Sequence, residues 1–140
     1  MTTPLSLLAR RARLHGLRED LDAGGAQIEF YTGTPPSEPD LAAAETLLAT
    51  MALAAPCGAL GQVGATQTAR SLATLTLTVP QTVLAVASGV IGWLRLTNGA
   101  EQGFIDLPVG LVGSGAPALV NAVQVFTGGE IQLVSCVLAE

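Results

Sequence analysis

Apolar positions recur at helical spacing in the first part of this chain and at spacing two over most of the remainder. From Thr3 to Asp22, Leu7, Leu14, Leu17 and Leu21 fall on one helical face, and Gly24-Gly25 then supplies a stop. The pattern predicts an N-terminal amphipathic helix within residues 1–25, ahead of a body spanning 26–140 in one overall domain. Gly16 weakens the middle of that helix. The charges oppose the helix dipole, with arginines crowding the first half and Glu19, Asp20 and Asp22 the end.

From Ala26 the period changes. Ile28 and Phe30 alternate with Gln27, Glu29 and Tyr31, a half-buried strand ended by Gly33-Thr34-Pro35-Pro36. Pro35 to Asp40 reads as a stiff loop, either a connector or an arm laid over a neighbour. Ala42 to Leu53 suits a helix by composition, but the alternation of Leu47, Ala49, Met51 and Leu53 favours a strand from near Glu45. Pro56 to Gly64 reads as a glycine-rich loop without the Lys-Ser/Thr of a phosphate loop.

Ser71 to Val79 is the cleanest strand, with Leu75, Leu77 and Val79 expected inside and Thr74, Thr76 and Thr78 outside. Val83 to Ala87 is a short strand that turns at Ser88-Gly89 into the central stretch, Val90 to Leu107. There two β-rich arms flank Asn98-Gly99, a tight-hairpin signal, and the only Trp and an Arg, Trp93 and Arg95, share a face. Pro108 to Pro117 reads as a loop. Leu119 to Phe126 is expected to pair with Glu130 to Leu138 across Thr127-Gly128-Gly129. About eight strands with regular turn signals predict a mainly β chain, an antiparallel β-sandwich of jelly-roll type.

Composition sharpens this picture. Hydrophobic residues make up 49% and charged residues 12%, about half the usual charged share. Such a chain is expected to cover part of its surface in an assembly. The net charge of −5 argues against nucleic acid as a partner, although four of the six arginines, Arg10, Arg11, Arg13 and Arg18, lie in the first 18 positions. The uncharged runs from Ser71 to Leu94 and from Leu107 to Gly129 are broken by glycine, proline and amide residues, so they read as strands and no membrane span is expected. No signal peptide is expected either, and Cys57 and Cys136 read as buried thiols in a reducing compartment.

Candidate chemistry is sparse. His15 sits among arginines, Ser6 and Ser37 lack a nucleophile-elbow context, and the carboxylates are scattered without a calcium-loop pattern. Glu38 and Asp40 share a loop, where solvation outweighs cation binding. The reading is therefore a non-enzyme with no cofactor and no metal. Most of the few aromatics are expected in the core, with Tyr31 the one most exposed.

The segments LLARRARLHGLREDLDAGG, IEFYTGTPPSEPD, LLATMAL, GWLRLTNG and FTGGEIQLVSCVL follow one another over most of the chain. In that order they resemble the cement, or decoration, proteins of tailed-phage heads, most closely the jelly-roll cement proteins of short-tailed phages of Bordetella-type hosts. The resemblance implies a virion protein made in the host cytoplasm, associating in pairs on the capsid exterior and clamping major capsid subunits of HK97-like fold. Exposure arguments select Arg10, Arg11, Arg13, Pro35, Pro36 and Glu38 as contact residues. The alternatives are a phage tail or baseplate protein and a carbohydrate-binding sandwich for host attachment.

Overall fold

The computed structural model describes residues 6–53, 55–63, 72–78, 81–98 and 103–139. Thr3, Gly64, Ser71, Val79 and Gly99, which figure in the expectations above, lie outside them. Helix α1 runs Leu7–Asp22 without a break at Gly16, and Ser6 caps it by accepting the Ala9 N–H at 3.2 Å. Leu7, Leu14 and Leu21 are buried, while Leu17 is only partly covered. The helix lies against β3 (Gly58–Val63) and β4 (Leu72–Leu77) of its own chain, so its leucines join the core of the β body. Two of its C-terminal acids have local partners. Asp22 accepts the Cys57 N–H at 2.7 Å, and Glu19 lies 3.5 Å from His15, a helical i,i+4 partner that the sequence reading overlooked.

The remaining strands are β1 (Gln27–Thr32), β2 (Leu47–Ala52), β5 (Gln81–Leu84), β6 (Gly89–Thr97), β7 (Gly103–Leu111), β8 (Ala118–Val120), β9 (Gln124–Val125) and β10 (Glu130–Ala139). They form one curled mixed sheet in the order β2-β1-β6-β7-β8-β10-β4-β3, with β5 added to β10 and β9 to β6. The mainly β character and the single leading helix match expectation. The all-antiparallel reading does not: β7 and β8 run parallel, with Val109 opposite Ala118 and Leu111 opposite Val120. Pairing of β7 with β6 ends at Pro108, opposite Trp93, and pairing with β8 begins one residue later. A residue without an N–H thus stands where the strand changes partners, the place where a missing donor disturbs a ladder least.

Several boundaries change for related reasons. Pro56 to Gly64 was expected to be a loop, yet residues 58–63 form β3, because its glycines serve close packing. A Cβ on Gly58 would overlap the Thr76 carbonyl and the Leu77 Cα, and one on Gly61 would meet the Thr74 hydroxyl at 3.1 Å. Thr74, expected outside, is buried. The expected loop from Pro108 begins instead as the second half of β7. Leu119 to Phe126 is no continuous partner of β10: Ala118–Val120 pair with it, whereas Gln124–Val125 turn to β6. The first half of β10 takes β5 instead.

The central hairpin forms, but its register places Thr97 opposite Gly103 and Arg95 opposite Asp106. A two-residue turn at Asn98-Gly99 would have set Arg95 opposite Gln102. The connection is longer than the Asn-Gly signal implied, and the difference selects the partner of the buried arginine.

Candidate functional site

Around Arg95 the structure builds a polar cluster beneath a strap. The segment between β1 and β2, residues 33–46, folds back over β6 and β7. A Cβ on Gly92 would overlap the Gly33 carbonyl, and one on Gly103 would overlap the carbonyl of Pro39. The Pro-rich loop, for which a connector and an arm on a neighbour were the two readings, packs on its own sheet at Gly33 and Pro39. Its entry uses Gly33 at φ 74°, the left-handed region glycine favours. Gly92→Ala is expected to lift the strap and destabilise the chain by about 1–3 kcal/mol or more, read as a lower urea midpoint together with faster proteolysis within residues 33–46. An unchanged midpoint and cleavage pattern would show that the strap does not depend on this contact.

Under the strap, Arg95 grips Asp106 with Nε to Oδ1 at 2.7 Å and Nη2 to Oδ2 at 3.0 Å, while Nη1 donates to the Leu41 carbonyl at 2.8 Å. The Asp106 carboxylate, outweighing desolvation, raises the Arg95 pKa still further above its ordinary value. The guanidinium carbon lies 5.3 Å from the Trp93 ring, which stacks on Tyr31 at 4.6 Å and donates its indole N–H to the Thr32 carbonyl at 3.0 Å. Tyr31 is therefore buried, contrary to expectation, and burial followed by nearby Glu29 raises its pKa. With each nitrogen of the guanidinium fork engaged, the cluster ties the strap to the sheet.

The six residues chosen as contacts fall on separate elements. Arg10 and Arg11 are half-buried on α1, with Arg10 Nε 3.5 Å from the Ser6 carbonyl, and Arg13 is exposed. Pro35 and Glu38 are exposed on the strap and Pro36 is half-buried, while the Glu38 carbonyl accepts the Leu41 N–H at 3.1 Å. Where helix and strap approach, the shared cleft is lined by Asp20 and by residues 39–42 rather than by any of the six. The structure does not gather them into one site.

An apolar end that sequence reasoning missed stands out instead. Leu84 is 61% exposed, Val86 66%, Val90 51% and Phe126 66%. Backbone bonds tie their segments together: Ala85 N–H to the Gly129 carbonyl and Gly128 N–H to the Ala85 carbonyl, both 2.8 Å, with Val90 opposite Gln124. All four residues come from the two uncharged runs, and the nearest charge in register is Glu130, opposite Leu84. The length of those runs, rather than their periodicity, was the available signal.

Cys57 and Cys136 are free and buried. Burial pushes the Cys136 thiol up to about 12, and burial with nearby Asp22 pushes Cys57 up to about 11. Among the described residues, no three His, Cys, Asp or Glu side chains stand together as metal ligands, and no helix is long and apolar enough to cross a membrane. No family model, curated protein or solved structure matches the chain.

Proposed function

We propose that this chain is a structural assembly protein, a cement protein of a tailed-phage head that binds the capsid exterior and clamps neighbouring major capsid subunits. The observation that carries the reading is the exposed apolar end formed by Leu84, Val86, Val90 and Phe126 on a chain already poor in charge. Apolar side chains clustered in this way stabilise the chain when a partner excludes water from them, and each buried one contributes about 1.5–3 kcal/mol. The leading helix and mainly β body fit a jelly-roll reading in which the curled sheet folds on itself. Self-association in pairs, a major capsid partner of HK97-like fold and residence in the virion belong to the same proposal.

Heads of the phage that encodes the chain, prepared without it, provide the test. Mixed with purified protein and sedimented, they should bind copies that saturate at a number matching the shell's symmetry. Absence of co-sedimentation by a folded sample would reject the reading. Replacing Arg10, Arg11 and Arg13 together by Ala should weaken attachment about tenfold, the sum expected of three screened ionic contacts, while leaving the β circular-dichroism signal intact. Unchanged occupancy would remove the arginines from the contact.

A further inference from the structure

We draw no further inference here: the strongest candidate, the exposed apolar end of the sheet formed by Leu84, Val86, Val90 and Phe126, already carries the assembly reading, and nothing in the structure shows what covers it.

Discussion

Replacing Arg95 with Met is expected to lower folding stability by about 3–5 kcal/mol, because it leaves the Asp106 carboxylate in a dry site without its cation. Both side chains of the pair are only 7% exposed, so little water screens their attraction. The same change removes the donor to the Leu41 carbonyl and the cation beside Trp93, loosening the strap as well as the sheet. Arg95→Lys should rescue little, since an ammonium cannot reproduce two parallel bonds to one carboxylate and a third to the strap. The double variant Arg95→Met, Asp106→Leu should recover most of the loss, because removing both charges also removes the cost of desolvating them. Urea unfolding of the four proteins measures this directly. A single-variant cost below about 1 kcal/mol would place the pair in the class of screened surface bridges.

The Arg95 pair also shows where sequence information stops. That Trp93 and Arg95 share a face follows from strand alternation, and the face itself was legible. Their partners were not, because Asn98-Gly99 suggested a turn whose register would bring Gln102 rather than Asp106 opposite the arginine. Local turn chemistry is short-range, whereas burying a guanidinium demands a carboxylate, and the longer connection meets that demand. The seven-residue spacing of Leu7, Leu14 and Leu21 and the inward Leu75 and Leu77 of β4 were readable from apolar spacing, whereas the burial of Thr74 on the other face of β4 was not. Strand β3 was hidden because Gly58 and Gly61, which look like loop residues, are required by close contact with β4. The strap was unreadable for a different reason: a proline-rich segment states that it is stiff but not what it covers. Among the candidate contacts, the arginines were selected by exposure arguments from the sequence alone, whereas the apolar end required knowing that residues 84–90 and 124–130 meet in space.

Alkaline pH should destabilise the chain from about pH 9 upward, by roughly 5 kcal/mol by pH 11. Unfolded thiols ionise near the ordinary value of 9.0, whereas the folded chain holds the Cys57 proton to about 11 and the Cys136 proton to about 12. Between those values the folded state binds more protons than the unfolded one. Stability from the raised pKa values is therefore complete below pH 9 and declines as pH rises, by about 1.4 kcal/mol per unit for each thiol. Tyr31, also raised, adds a loss of the same sign above pH 10. Urea unfolding at pH 8, 9, 10 and 11 should show the decline, and Cys136→Ala should flatten it by about half, since the variant has one thiol fewer to ionise on unfolding. A flat profile in the native chain, or an unchanged slope in the variant, would mean that the Cys136 thiol meets water in the folded state. The same burial predicts that iodoacetamide at pH 8 leaves both thiols unmodified until the chain is unfolded, because the thiolate is the species that reacts.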